Sequence, residues 1–478
     1  MYQMAEDSIQ RSPDVLEFVE TVRAFRNLFS AGSDVYITRA PGRLDVMGGI
    51  GDYSGSHVLE MPIGEAALAG VQKDNERLVK IVSLGSHTNT RTYSFEMPLE
   101  AFESDGEPVS YEEAKQYFRR KRSSRWAAYI AGTFLVLMKE KGVTFRGGAR
   151  ILIDSRVSLG KGVSSSAAIE VAAMTAIAAA FEIDIEPKEL AVLCQKVENL
   201  IVGAPCGIMD QMTSVKGEKN KFLSLVCQPA ELRGTVSVPD GIAFWGIDSG
   251  IRHSVGGGDY GSVRTGAFMG YRIIADLAGL TVSTTGKNGF VKIADDKWRG
   301  YLANIMPQEF EEKYAGRLPK EISGSDFLQR YQGINDTVTS VSRAKKYAVL
   351  SPTRHPVYEN GRVNSFVGLL QQPITDESLR SLGNLMCEAH KSYSDCGLGT
   401  SETDLLVDLV MRSKNLFGAK ITGGGCGGTV AVLGRKRADA EIAKVAADYE
   451  NQTGHRPHIF TGSSMGAETF GHLRIKLI

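Results

Sequence analysis

A glycine-serine loop running straight into an alanine-rich segment, Val157-Ser158-Leu159-Gly160-Lys161-Gly162-Val163-Ser164-Ser165-Ser166-Ala167-Ala168, constrains this chain more than any other stretch. The apolar run that follows, 167–181, is interrupted by Glu170 and Thr175 and is rich in alanine, which predicts a buried helix lying close against a sheet. Gly160 and Gly162 have no side chains to hold a polyanion off the backbone, and three serines fall where a helix leaves its first N–H groups unpaired. An anion is at home in such a place. Gly160, Lys161, Gly162, Val163, Ser164, Ser165, Ser166 and Ala167 are therefore candidate phosphate-binding residues. The lysine sits between the glycines and no Lys-Ser/Thr pair closes the loop, which disfavours the common P-loop, and the spacing also fails Gly-x-Gly-x-x-Gly. A plain loop whose serines merely cap a helix is the competing reading.

At 478 residues the chain exceeds a single hydrophobic core, and two α/β-type domains with a cleft between them are expected. Fifty-five basic and 55 acidic residues leave no net charge, so nothing in the overall field favours nucleic acid or an anionic membrane, and a small-molecule ligand fits better. Six cysteines, Cys194, Cys206, Cys227, Cys387, Cys396 and Cys426, form no Cys-x-x-Cys pair and no disulfide scaffold, as in a reducing cytoplasm. Residues 1–10 have neither the basic region nor the apolar run of a secretory signal, and no segment reads as a membrane span. The composition leaves monomer and homodimer equally open.

Helical spacing marks 17–29 and 190–200, and β-rich runs mark 35–38, 149–154, 222–226, 244–248 and 429–433. The first run feeds an expected tight loop at Ala40-Pro41-Gly42, and the turn-prone Pro239-Asp240-Gly241 lies near a domain change. This divides the chain into 1–237 and 238–478, the second part elaborated at about 283–364 by mixed short segments of no evident role.

Two acids follow the serine segment. Glu198 lies on an expected helix, and Asp210 lies in the Pro/Gly-rich Gly203-Ala204-Pro205-Cys206-Gly207-Ile208-Met209-Asp210-Gln211. A hard divalent cation shared with nucleotide phosphates needs only one or two protein oxygens, so Ser166 with Glu198 would suffice for Mg²⁺. Asp210, carried on a loop, could take the proton from a substrate hydroxyl, and a guanidinium at Arg43 would keep it ionised and screen transferring phosphate. Each of these residues taken singly also reads as an ordinary surface charge.

Three separated segments together resemble the GHMP small-molecule kinases: Pro41-Gly42-Arg43 with Gly48 and Asp52-Tyr53, the Ser164-Ser165-Ser166-Ala167 loop, and the glycine-rich 422–428. The resemblance implies an α+β, two-domain GHMP kinase fold, with an N-terminal domain like ribosomal S5 domain 2, a ferredoxin-like C-terminal domain and the active site between them. The segment 203–211 resembles the base segment of the galactokinase branch, with Glu198 at the spacing of its magnesium acid. Trp126-Ala127-Ala128-Tyr129-Ile130 resembles that branch's adenine-side tryptophan segment, although a core aromatic is the alternative for Trp126. Arg252-His253-Ser254 followed by Tyr260 resembles its sugar-contacting segment, and Gly256-Gly257-Gly258-Asp259 reads as a flexible loop beside it. No histidine spacing suggests a transition metal. By the same resemblance Arg43, Gly49, Ile50, Asp52, Gly207, Asp210 and Tyr260 would face the sugar, and ATP and Mg²⁺ would be required.

One departure is informative. Galactokinases usually carry a Glu-His pair that contacts the sugar's exocyclic hydroxymethyl, and here those positions are Gly49 and Ile50. The first motif, together with Phe460-Thr461-Gly462-Ser463-Ser464-Met465-Gly466-Ala467, resembles the kinase domain of plant-type L-arabinokinases. That implies phosphorylation of L-arabinose at its anomeric hydroxyl, since this pentose has the galactose ring without the hydroxymethyl. A galactokinase or broader sugar 1-kinase is the near alternative, and a catalytically inactive sugar sensor the remote one.

Overall fold

The computed structural model describes residues 12–85, 92–252, 260–284 and 289–477; His253, the glycines 256–258 and residues 1–10 lie outside the described residues. Two long strands, Asp34–Met47 and His57–Lys73, pair antiparallel and anchor an eight-stranded sheet. Both are buried along most of their length, as strands covered on two sides must be, and they carry buried charges at Arg43, Asp45 and Glu60. Ala149–Ser155 adds to His57–Lys73 antiparallel and takes Leu78–Ser83 alongside in parallel. Lys221–Val226 pairs with the start of His57–Lys73.

The expected serine helix spans Ser165–Phe181 and lies on one face of this sheet, with seven of its eight alanines buried. Thr38 Oγ1 donates to the Ala172 carbonyl at 2.6 Å, a distance larger side chains between helix and strand would forbid. Helix Pro13–Ala24 covers the other face, packing Val15, Phe18 and Val22 on Val35, Ile37, Leu68 and Leu152.

A second sheet runs Leu416–Ile421, Thr429–Arg435, Ile242–Asp248, Ile459–Phe460, all neighbours antiparallel. Helices Ser401–Met411 and Asp439–Thr453 back it through Trp245, Ile247, Leu406, Val410 and Tyr449, and helix Asp376–Asp395 packs on Leu416–Ile421. The elaborated region is not formless. Its short strands and helices Pro307–Lys313 and Gly324–Tyr331 enclose Trp298, Phe310, Phe327, Ile334 and Tyr347 against helix Tyr260–Leu277.

Three expectations are corrected. Pro41-Gly42-Arg43 is no tight loop but stays within Asp34–Met47, at a break in register where a proline is tolerated in a sheet. Asp210 sits in the first turn of helix Met209–Lys216 rather than on a loop. The division at 237/238 does not follow the sheets, because Leu473–Lys476 returns to pair antiparallel with Asp34–Ile37 as an edge of the first sheet.

Candidate active site

The serine turn is built from positive φ angles. Gly160 (+70°), Gly162 (+73°) and Ser164 (+58°) bend the chain so that helix Ser165–Phe181 starts immediately after it. Left-handed geometry at the non-glycine Ser164 is a strained state of the kind that collects at ligand sites. Its Oγ is buried and makes no hydrogen bond, so the turn holds a donor in want of an acceptor, which suits a phosphate oxygen. Lys161 is committed elsewhere: its Nζ meets Asp248 Oδ2 at 2.7 Å, and its carbonyl accepts from Thr429 Oγ1 at 2.8 Å, fastening the turn to the second sheet. The glycine-rich 422–428 backs it. A Cβ on Gly423, which has φ +69°, would lie 2.7 Å from the Gly162 carbonyl and 3.1 Å from an Arg43 nitrogen.

Arg43 joins the turn to the acid. NH1 donates to the Gly162 carbonyl at 2.7 Å, while Nε and NH2 both reach Asp210 Oδ1, at 2.9 and 2.8 Å. Both contacts fall on Oδ1 rather than Oδ2 of Asp210. Arg43 has a second partner that the sequence did not reveal. Glu60, fully buried, places Oε2 3.1 Å from Arg43 Nε. Burial, with Asp45 adding to it, pushes the Glu60 carboxyl well above the ordinary range against the pull of Arg43.

Glu198 lies in the π-helical turn Val197–Val202 that ends the helix Pro187–Lys196. Its carboxyl is pushed up to about 7, chiefly by burial and then by Asp210, with Ser166, Cys206 and Gln211 hydrogen bonds opposing. Gln211 Nε2 donates to Glu198 Oε2 at 2.7 Å and to Glu170 Oε2 at 3.1 Å, so one amide spans two buried acids. Glu170 Oε1 has no partner. Ser166 hydrogen-bonds Glu198, so a hydroxyl and a carboxyl stand together there, and among the described residues no group of three or more His, Cys, Asp or Glu is placed to hold a metal ion.

Asp52 is buried on a 3-10 turn, Gly49–Ser54, where its Oδ1 accepts from the Tyr53 N–H at 2.6 Å. Burial, then Asp210, raises it to about 7 against Arg264. Gly207 is glycine for a steric reason, since a Cβ there would fall 1.6 Å from Asp52 Oδ2. Asp52, Tyr53, Cys206, Gly207, Arg264 and Asp336 line a cleft of about 550 Å³, with Tyr301 and Asn335 of the elaborated region on its wall.

The structure therefore brings Arg43, Ser166, Glu198, Asp210, Asp52 and Gly207 into one neighbourhood. Other candidates fall differently. Gly49 and Ile50 do not line the cleft: a Cβ at Gly49 would collide with Tyr393 Oη at 1.6 Å, and Ile50 is 1% exposed in an apolar cluster with Val263 and Ala267. The Ile50 N–H donates to Tyr393 Oη at 2.9 Å, so the tyrosine fills the space that a longer side chain would claim. Tyr260 opens helix Tyr260–Leu277 and meets Tyr53 edge-on at 5.7 Å. Half-buried Trp126 lies 6.1 Å from Tyr93 and packs on the main core. Sequence reading missed Glu60, Glu170, Gln211, Arg264 and Asp336. The adjacency of Gln211 to Asp210, and of Glu170 one helical turn after Ser166, were the signals for two of them.

Residues 23–73 match the galactokinase galactose-binding signature, 128–218 the GHMP kinases N terminal domain and 368–451 the GHMP kinases C terminal domain. L-arabinokinase of Arabidopsis thaliana is 46% identical over 95% of this chain and 48% of its own length, so the chain spans about half of that relative. A galactokinase of Chloroflexus aggregans is 28% identical over 87% of this chain and 89% of its own. The solved Lactococcus lactis galactokinase complexed with galactose superposes with a TM-score of 0.70 at 20% identity, covering 96% of this chain and all of that one, and a mevalonate kinase with 0.52 at 14%, covering 90% and 99%. At such identities the likeness speaks to the fold alone. Among the described residues no helix is long and apolar enough to cross a membrane.

Proposed function

The chain belongs to the GHMP kinase family, and from that premise we propose that it is an ATP-dependent sugar 1-kinase acting on L-arabinose. The reaction is ATP + L-arabinose → L-arabinose 1-phosphate + ADP. The anomeric oxygen attacks the γ-phosphorus in line, its bond to the bridging β,γ-oxygen breaks, and the hydroxyl proton passes to Asp210. The observation that carries this reading is the double contact of Arg43 with Asp210 Oδ1 while its third nitrogen holds the Gly162 carbonyl, which ties the base to the phosphate turn. Arg43 holds Asp210 in place and screens the phosphoryl group, and the backbone of 160–166 with Ser164 Oγ receives phosphate oxygens. Ser166 and Glu198 would hold Mg²⁺, which when bound screens the phosphate charge. Asp52, beside Gly207, accepts from sugar hydroxyls, with Tyr260 behind it. Trp126 is assigned to the adenine side on the family resemblance.

The sugar preference is supported by the surroundings of positions 49 and 50. Gly49 and Ile50 are packed away from the cleft, with Tyr393 filling the room beyond Gly49, so no side chain from these positions reaches an exocyclic hydroxymethyl. Leaving that hydroxyl unpaired costs about 1–3 kcal/mol. Discrimination of roughly a hundredfold follows, with residual use of galactose.

ADP release from a panel of L-arabinose, D-galactose, galacturonate and N-acetylgalactosamine tests the reading. L-Arabinose is expected to lead on kcat/KM, and preference for a sugar bearing C6 would replace the proposal with the galactokinase alternative. Asp210→Asn is expected to bind nucleotide yet lose about 10²–10⁴ in kcat, and unchanged turnover would remove it as the base.

A further inference from the structure

Arg264, buried on helix Tyr260–Leu277, divides its nitrogens between two distant segments. Nε and NH2 donate to the two oxygens of Asp336, each at 2.8 Å, and NH1 donates to the Cys206 carbonyl at 3.0 Å. Asp336, also buried, is itself set by the Val338 and Thr339 N–H groups at 3.1 Å and by Thr339 Oγ1 at 2.6 Å. The guanidinium lies 5.4 Å over the Tyr53 ring. One side chain thus couples the elaborated region to the loop that carries Gly207 into Asp210, on the wall of the cleft. Buried ion pairs contribute little net stability compared with apolar packing, and a bidentate fork is geometrically demanding, so the arrangement fits a role in placement better than one in folding.

We propose that Arg264, oriented by Asp336, is a positioning residue for the sugar half of the site: it fixes the Cys206–Gly207 backbone against Asp52 and supplies the positive charge that keeps Asp52 able to accept a sugar hydroxyl. The elaborated region thereby acquires a function, which is to aim Arg264. The inference rests on the sugar-kinase reading above. The charged groups around Asp52 are Asp210, Arg43 and Arg264; Tyr53, Tyr260, Cys206 and Cys227 are its other titratable neighbours, and burial pushes all four upward, so they stay neutral near pH 7. Of the three, Asp210 raises Asp52, and Arg264 leads the opposing influences. Removing the Arg264 charge therefore moves the Asp52 protonation to higher pH.

The test uses Asp336→Asn, Arg264→Gln and Arg264→Lys in the full chain, with KM for sugar and for ATP measured separately across pH. Asp336→Asn is expected to raise the sugar KM roughly tenfold with the ATP KM unchanged. Arg264→Gln is expected to move the acid limb of kcat/KM for sugar upward by about one pH unit, and Arg264→Lys, which keeps charge but not the fork, to raise KM without moving the limb. Equal loss in both KM values, or an unmoved limb in Arg264→Gln, would overturn the proposal. Hydrogen exchange separates its failure from that of the functional reading. Amides of 206–209 should exchange faster in Asp336→Asn while 160–166 do not, and an unchanged pattern rejects the positioning role whatever the parent phosphorylates.

Discussion

A carboxylate without water around it must either lose its charge or be held charged by its neighbours, and Asp52 stands between those outcomes. Because its native value is raised to about 7, the folded chain holds this proton more tightly than the unfolded chain does. Its contribution to stability is complete below about pH 4 and is lost as pH rises through about 7. Asp52→Asn removes that loss. The melting temperature of the variant should equal the parent's near pH 4.5 and exceed it at pH 8, while sugar turnover falls; calorimetry at the two pH values checks the sign, and a constant difference would contradict it. Arg43, Ser166 and Asp210 were singled out in the sequence because each lies in a local pattern of glycine, proline or serine, whereas Glu198 lies in none and entered through an expected helix and its spacing in the family resemblance. Glu60 was not singled out. It follows Val58 and Leu59 in a buried strand, and only the approach of Arg43 from the neighbouring strand makes it part of the site. Ile50 shows the reverse failure, for its family position suggested the cleft and packing took it into the core.

Among the elements, the serine turn depends on a partner distant in sequence. The glycine-rich 422–428 presses its backbone against Gly162 and Arg43, so the phosphate turn and the base residue share one support. Gly423→Ala adds a Cβ into that contact and strains a left-handed residue by about 1–2 kcal/mol. Its expected effect is an ATP KM several-fold higher with lowered kcat, and sugar affinity near the parent's, as measured by calorimetric titration of sugar alone. Equal weakening of both ligands would mean that the turn supports the whole cleft rather than the nucleotide half. The glycines themselves were readable as a backbone permitting sharp bends. What they approach was not, because the contact spans some 260 residues of chain. The same reason hid the strand character of Pro41-Gly42-Arg43, where the punctuation residues mark a register break in place of a turn.

On the scale of the whole molecule, chain length pointed to two domains, but the allocation of strands to two sheets was not readable from position along the chain. Leu473–Lys476 belongs to the first sheet, paired with Asp34–Ile37, and such a long-range ladder leaves no local trace. Ending the chain after Gly471 should therefore destabilise the N-terminal sheet, lowering the melting temperature by at least about 4 °C, with faster hydrogen exchange in 34–37. Protection confined to its former level there would refute the dependence. The elaborated region gave the sequence no signature because its core is assembled from scattered aromatics that meet only against helix Tyr260–Leu277.

Lys420 and Asp45, both fully buried and 2.7 Å apart, face one another from the two sheets, with Thr422 Oγ1 accepting from the Asp45 N–H alongside. Removing one partner while the sheets stay together would leave the other charge buried and uncompensated, a loss of about 3–5 kcal/mol. The two sheets therefore meet through a matched pair of charges that each needs the other, so a change to either residue on one side of the seam is felt on both.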